Sequence, residues 1–226
     1  MRQSNLPTPN IIFLYVVSTI MAVIGKLYFR LSWTNNRTEL NRLSAQNIPV
    51  IVVFNHTSHL DVPSVALALG MPFMRRLIMP GKKELFEHPA MAWFMRQGGA
   101  IPLNRELTDT TTVRILLRAL QENRVILISP EGTRSYDGTI QPFKSGFVKL
   151  AHRSQAAILP VGIRGAYDAF PRGAKYPKPH KVTVRVGSPI TIADHLPDKP
   201  SHTDYDIAAD FVQQQVVALP GQSLQI

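Results

Sequence analysis

Short apolar runs alternate with amphipathic stretches along most of this chain. Beyond Trp33 the runs recur at residues 50–54, 76–79, 100–103, 125–129, 157–161 and 182–186, each short enough to be a strand. Helical spacing fills several of the gaps. Residues 61–69 set Val62, Val65, Ala66 and Leu69 on one face, and 109–122 do the same with Val113, Leu116, Leu117 and Leu120, with Thr108 or Asp109 placed to cap. Residues 145–152 predict a third helix, and 203–217, with Ile207, Ala208, Phe211 and Val212, a fourth. This alternation predicts an α/β fold in which helices cross over a sheet. No internal repeat or low-complexity tract interrupts it.

The amino terminus breaks the pattern. Residues 11–24 (IIFLYVVSTIMAVI) are almost continuously apolar and are flanked by Pro9 and by Lys26 and Arg30. They predict a helix, but fourteen residues fall short of the roughly 20 that span a bilayer. Lys26 and Arg30, four apart, add a basic stripe to its continuation, so an interfacial or re-entrant anchor is expected. Arg2 alone makes a poor signal-peptide n-region, and no small-x-small cleavage site follows. The chain therefore divides into a membrane-associated helical segment (1–33), a central body (34–190) and a carboxyl-terminal acidic helical tail (191–226).

Composition narrows the chemistry. A 226-residue chain that is 45% hydrophobic can bury one good core and carry one extra element. The lack of cysteine excludes a disulfide scaffold, a thiolate metal site and a cysteine nucleophile, and is neutral about compartment. Net charge is +10, but the residues from Ile190 onward sum to −4, which leaves +14 on the rest. Such a body attracts a polyanion: nucleic acid, an anionic bilayer or phosphorylated small molecules. The segment 164–185, rich in Pro, Gly, Lys and Arg, sets six cations against Asp168 and is expected to be mostly loop lying against phosphate or membrane.

Chemistry enters where the first of these strands ends. The stretch VIVVFNHTSHLD delivers Asn55, His56, His59 and Asp61 into the turn before a helix, and ligands of open α/β sheets bind beyond the carboxyl ends of strands. A carboxylate five residues after a histidine can accept its Nδ1 proton and leave Nε2 as a general base. Chance supplies H-x-x-x-x-D in roughly a quarter of chains of this composition, so the weight rests on what accompanies it. Three further blocks follow in order: GAIPLNR at 99–105, EGTRS at 131–135 after VILISP, and AILPVGI at 157–163.

These four blocks resemble the glycerolipid acyltransferase family. Asn55, His56 and Asp61 match N-H-x-x-x-x-D. Gly99, Ile101, Pro102, Leu103 and Arg105 match the second block, and Glu131, Gly132, Thr133, Arg134 and Ser135 match the third without substitution. Ile158, Leu159 and Pro160 match the fourth, and Lys82-Lys83-Glu84-Leu85 and Phe143-Lys144-x-Gly146 are also similar to the family. The resemblance covers residues 49–164 and says nothing of the acidic tail.

It implies an α/β fold with a central mixed sheet and flanking helices, like that of glycerol-3-phosphate acyltransferase, with the apolar helix as membrane anchor. It implies an enzyme of phospholipid biosynthesis moving a fatty acyl group from acyl-CoA or acyl-ACP to the free hydroxyl of 1-acyl-sn-glycerol 3-phosphate, with no cofactor and no metal. Another lysophospholipid or a specialised lipid is the alternative acceptor. His56 and Asp61 would be catalytic, and direct attack by the acceptor hydroxyl frees Thr57 and Ser58 from any role as nucleophile. Arg105, Glu131, Gly132, Thr133 and Arg134 would bind the acceptor and its phosphate. Arginines and backbone amides suit that task, whereas the carboxylate of Glu131 would repel phosphate and is expected to orient an arginine or a glycerol hydroxyl. Lys82 and Lys83 are candidates for the donor's phosphates, and the expected location is the cytoplasmic face of a membrane.

Two rivals fit less well. A metal-dependent hydrolase of the H-x-H-x-D-H kind would need histidines where Thr57 and Val62 stand, and His88, His152 and His180 are isolated. A basic membrane- or nucleic-acid-binding module would explain the charge, but no nucleic-acid motif or aromatic stacking face accompanies it, so nucleic acid is not an expected partner.

Overall fold

The structure, a computed structural model, describes residues 6–102 and 110–219. In chain order the elements are α1 (Ile11–Tyr28), β1 (Ser32–Thr34), α2 (Arg37–Ala45), β2 (Val50–Phe54), α3 (Asp61–Leu69), α4 (Met71–Met74), β3 (Leu77–Gly81), α5 (Pro89–Gln97), β4 (Ala100–Pro102), α6 (Thr110–Gln121), β5 (Val125–Ile128), α7 (Gly146–Ser154), β6 (Ala157–Arg164), α8 (Ala166–Ala169), β7 (Thr183–Val186) and α9 (His202–Ala218). Single 3-10 turns occupy Lys83–Phe86 and Ile192–His195.

The strands form one sheet of order β1-β7-β6-β2-β5-β3-β4. β6, β2, β5, β3 and β4 run parallel, while β7 is antiparallel to β6 and carries β1 parallel to itself, so the sheet is mixed. β2 lies at the centre with all five residues buried, its Val50 opposite Val125 of β5 and Ala157 of β6. Parallel neighbours need long crossovers, which the helices supply.

Alternation along β2 builds two cores, because successive side chains of a strand point to opposite faces. Val50, Val52 and Phe54 join Leu43, Val65, Leu69 and Phe73 on one side. Ile51 and Val53 join Leu116, Leu120, Phe147, Val148 and Val212 on the other. The result is three layers: α2, α3 and α4 on the first face, with α1 lying across α3 and α4, and α6, α7 and α9 on the second.

Strand 50–54 and helix 61–69 stand where the sequence predicts them. Others shift. β6 runs on to Arg164, and α1 passes through Lys26 to Tyr28, giving 18 residues, long and apolar enough to cross a membrane by length and composition. α9 is rotated from its expected face: Ile207 is exposed, while Ala208, Ala209, Val212 and Val216 are buried, because two adjacent alanines let the helix approach β6 closely. Segment 164–185 is mostly loop, as expected, apart from α8 and the start of β7.

The glycine that opens the second sequence block has a backbone reason. Gly99 adopts φ +85°, and a Cβ there would stand 2.3 Å from the carbonyl oxygen of Leu77. Its own carbonyl accepts the Met79 amide at 3.1 Å, setting the pairing of β3 with β4. Gly99→Ala is expected to cost on the order of 1–3 kcal/mol through left-handed strain and this clash. The check is chemical denaturation in mild detergent, where the midpoint should fall with an unchanged m-value; an unaltered midpoint would contradict it.

Candidate active site

Where β2 ends, side chains take over the work of its backbone. The Asn55 amide donates to the Ile163 carbonyl at 3.0 Å and accepts the Ile163 amide at 2.8 Å, so pairing with β6 continues as the main chain turns away. The turn closes on Asp61, the first residue of α3. Its fully buried carboxylate receives three donors on Oδ2: the amides of Thr57 and Ser58, each at 2.7 Å, and Nδ1 of His56 at 2.8 Å. Oδ1 is buried with no protein partner among the described residues. A carboxylate accepting this bond selects the imidazole tautomer that carries its proton on Nδ1, in which Nε2 is the ring's acceptor.

His56 borders a small cavity of about 100 Å³, walled mainly by Phe54, Val62, Met79, Pro80, Leu127 and Ile128. Ser129, just past β5, lines it too, and its hydroxyl is buried without a partner among the described residues. Sequence reasoning passed over Ser129, because a serine after a strand carries no signal of its own. Ser58 is occupied: its hydroxyl donates to the Phe170 carbonyl at 2.7 Å and accepts the Leu60 amide at 3.1 Å. His59 packs its ring against Phe170, with centroids 5.3 Å apart, and burial, followed by the charge of Arg134, holds its pKa below the usual histidine range. Among the described residues no three His, Asp or Glu side chains group as metal ligands.

The EGTRS block lies beyond β5, the strand beside β2. Glu131 is buried, with one carboxylate oxygen accepting the His56 amide at 2.6 Å and the other the Gln141 amide at 2.8 Å. Each oxygen therefore accepts a backbone amide, which ties this carboxylate to the loop that carries His56. The Ser135 amide donates to the His56 carbonyl at 2.9 Å, so this block grips the main chain of His56 from both sides. Burial pushes the Glu131 carboxyl above the ordinary glutamate value, against the opposing pull of its amide bonds.

Past Glu131 the chain turns through Gly132, at φ +76°, and exposes Thr133. Arg134 has one buried guanidinium nitrogen, Nη1, without a partner among the described residues. Arg172, which sequence reasoning saw only as one charge in a basic loop, reaches into this turn. Its Nη1 donates to Thr133 Oγ1 at 3.3 Å and the Arg134 carbonyl at 3.5 Å, while its guanidinium stacks 4.0 Å from the Tyr136 ring centroid. Burial, and then the nearby charge of Arg172, lower the Arg134 pKa. Two cations are brought together here with the charge of Asp61 acting on Arg134 and no salt bridge to either guanidinium among the described residues, a site that an anion would stabilise. Lys82 and Lys83 are exposed just beyond β3, whose Met79 and Pro80 line the cavity. Arg105 lies outside the described residues.

A family model described as Acyltransferase matches residues 35–164. The chain is 29% identical over 174 residues to a chloroplastic 1-acyl-sn-glycerol-3-phosphate acyltransferase of Arabidopsis thaliana, covering 74% of this chain and 48% of that protein. It is 27% identical over 160 residues to the 1-acyl-sn-glycerol-3-phosphate acyltransferase of Bacillus subtilis, covering 68% and 76% respectively. The beta form from Homo sapiens is 33% identical over 141 residues, 61% of this chain and 49% of that protein. The chain thus spans about half the length of the plant and human relatives. In fold it is similar to the crystal structure of the 1-acyl-sn-glycerophosphate acyltransferase PlsC from Thermotoga maritima, with a TM-score of 0.61, 23% identity and coverage of 95% and 96% of the two chains.

The two amide bonds of Glu131 carry a test. A glutamine keeps one acceptor but turns an NH2 group toward an amide donor, so Glu131→Gln is expected to lose about 1–3 kcal/mol. A carboxyl whose folded pKa is raised binds more protons folded than unfolded. Wild-type stability should therefore fall as pH rises from the ordinary glutamate range through the raised value, and this component should vanish in the variant. Denaturation midpoints from acid to neutral pH read both effects; profiles that stay parallel would refute the assignment.

Proposed function

The chain belongs to the acyltransferase family, and from that premise we propose that it transfers a fatty acyl group from a thioester donor to the free hydroxyl of 1-acyl-sn-glycerol 3-phosphate, yielding phosphatidic acid. The observation that carries this reading is the His56–Asp61 pair, 2.8 Å apart, with His56 bordering a mainly apolar cavity.

The acceptor hydroxyl attacks the thioester carbonyl while Nε2 takes its proton. A carbon–oxygen bond forms, the carbon–sulfur bond breaks, and the imidazolium returns the proton to the departing thiolate. Asp61 stabilises the imidazolium at the moment it forms and keeps the ring from turning. No acyl-enzyme is needed, and Ser58, committed to the Phe170 carbonyl, is not free to make one. Glu131 is a positioning residue, holding the backbone from which the His56 side chain projects.

The acceptor's phosphate is assigned to Arg134, Arg172 and the Gly132-Thr133 turn, with Arg105 added on resemblance. Acyl-CoA and acyl carrier protein both present an anionic thioester, and Lys82 and Lys83, exposed beyond β3, suit either. The acceptor and product are bilayer lipids, and the exposed apolar face of α1 holds the enzyme at their surface.

The direct test is transfer of radiolabelled oleate from oleoyl-CoA to lysophosphatidate in detergent or liposomes. Wild type should form phosphatidate, and His56→Ala should lose at least about 10²-fold of the rate. Equal rates would remove His56 from the mechanism. Arg172→Ala should raise the KM for lysophosphatidate by about tenfold, the worth of one charge-assisted hydrogen bond, with the KM for oleoyl-CoA unchanged. An unaltered KM for the acceptor would take Arg172 out of the phosphate site.

A further inference from the structure

α5 turns its large apolar side chains outward. Of its nine residues only Ala92 is buried, whereas Met91, Trp93 and Phe94 are 46%, 59% and 46% exposed. A helix on a globular surface normally presents such residues to the core, and a contiguous exposed apolar patch marks a contact surface. The patch does not end with α5. Phe13, in the first turn of α1, meets the rings of Trp93 and Phe94 edge-on, with centroids 5.7 and 5.2 Å away, and the Asn10 amide donates to the Gln97 carbonyl at 3.1 Å. The outer faces of the two helices are continuous.

We infer that α5 is a second membrane-inserted element, placing Met91, Trp93 and Phe94 at the boundary between headgroups and acyl chains of an anionic bilayer, beside an α1 that lies in the membrane plane. The occupant is lipid for three reasons. First, the surface is continuous with α1, which is apolar enough for a membrane yet tied to the folded body at both ends. The Asn10 bond holds its start, and the Tyr28 hydroxyl donates to the Pro177 carbonyl at 3.0 Å near its finish. A helix fastened to one body at both ends cannot stand across a bilayer away from that body, and lying flat puts its exposed residues in lipid.

Second, the residues are those an interface selects. Tryptophan favours the headgroup level, and among the exposed charges of the same segment Lys82, Lys83 and Arg96 outnumber Glu84 and Glu87, with the Arg96 guanidinium over the ring of Phe86. Third, that segment begins at the end of β3, whose Met79 and Pro80 line the cavity beside His56. The lipid-facing surface therefore runs from the anchor to the site, as an enzyme acting on a bilayer lipid requires. The inference deepens the acyltransferase reading and rests on it for its purpose alone.

The experiment needs no activity. The chain has two tryptophans, so Trp33→Phe leaves Trp93 as the sole tryptophan, excited selectively over the tyrosines at the red edge of the band. The full-length variant is mixed with phosphatidylcholine/phosphatidylglycerol vesicles, with and without bromine on the acyl chains, and followed by flotation, emission and acrylamide quenching. The expected result is co-flotation, a blue-shifted Trp93 emission at least halved by brominated chains, and a reduced response to acrylamide. Co-flotation with Trp93 quenched by acrylamide and not by bromine would overturn insertion of α5 while leaving α1 as anchor. Failure to float would overturn both.

In the wild-type background Trp93→Ser should lower vesicle partitioning by about tenfold. Its acyl transfer in detergent should stay at the wild-type rate, which separates loss of insertion from failure of the catalytic reading. Undiminished partitioning would count against the inference.

Discussion

One oxygen, Oδ2 of the fully buried Asp61, gathers three donors within 2.8 Å, and the strand-to-helix turn is built around it. A bare buried carboxylate is costly, so it is kept only where donors surround it. Here they come from the turn itself, and the first turn of α3 adds the favourable end of its dipole. The same oxygen thus folds the loop and sets the histidine tautomer. Separating the two roles is impossible: whatever moves Asp61 also releases the amides of Thr57 and Ser58. Asn55 completes the arrangement by substituting its side-chain amide for the strand pairing that β2 abandons.

Glu131 supplies the complementary constraint. Asp61 holds the ring of His56, and Glu131 and Ser135 hold its backbone, so side chain and main chain are fixed by different parts of the sequence. A catalytic base must be held to within a fraction of an ångström, and both supports come from residues anchored at the ends of sheet strands or the start of a helix. The sheet order makes this possible. β5 is not next to β2 in sequence but is its neighbour in space, which brings a block about 75 positions later against His56.

The central sheet was legible because buried parallel strands are nearly all apolar, and β2 and α3 were read to the residue. What escaped had weak or misleading patterns. β1 is three residues long, and α2 has only Leu40 and Leu43 to signal a buried face. α5 is apolar without an inward face, so periodicity could not find it. For α1 the apolar run ends at Ile24, while the helix continues through Gly25 and Lys26 to Tyr28. In the site, His56 and Asp61 lie five apart and their pairing is a local matter that spacing reveals. Glu131 and Arg172 act through contacts made by sheet order and loop packing, and no local spacing encodes either.

Charge and layering together orient the molecule. In the proposed membrane-bound state the basic body is drawn to an anionic surface, at about 1 kcal/mol for each Lys or Arg that comes near it. The carboxyl-terminal segment, with its net −4, would oppose this if it shared the lipid-facing side. It does not. α9 packs over β6 and α7 on one face of the sheet, while α1 lies across α3 and α4 on the other. A helix layer and the sheet intervene, about 20 Å at usual packing distances. Fields in physiological salt fade over about 8 Å, so the acidic helix barely reaches the surface that α1 touches. The antiparallel β7 has a part in this, because it returns the chain beside β6 and lets α9 close the face opposite the anchor, where its acidic residues leave the attraction of the basic body almost undiminished.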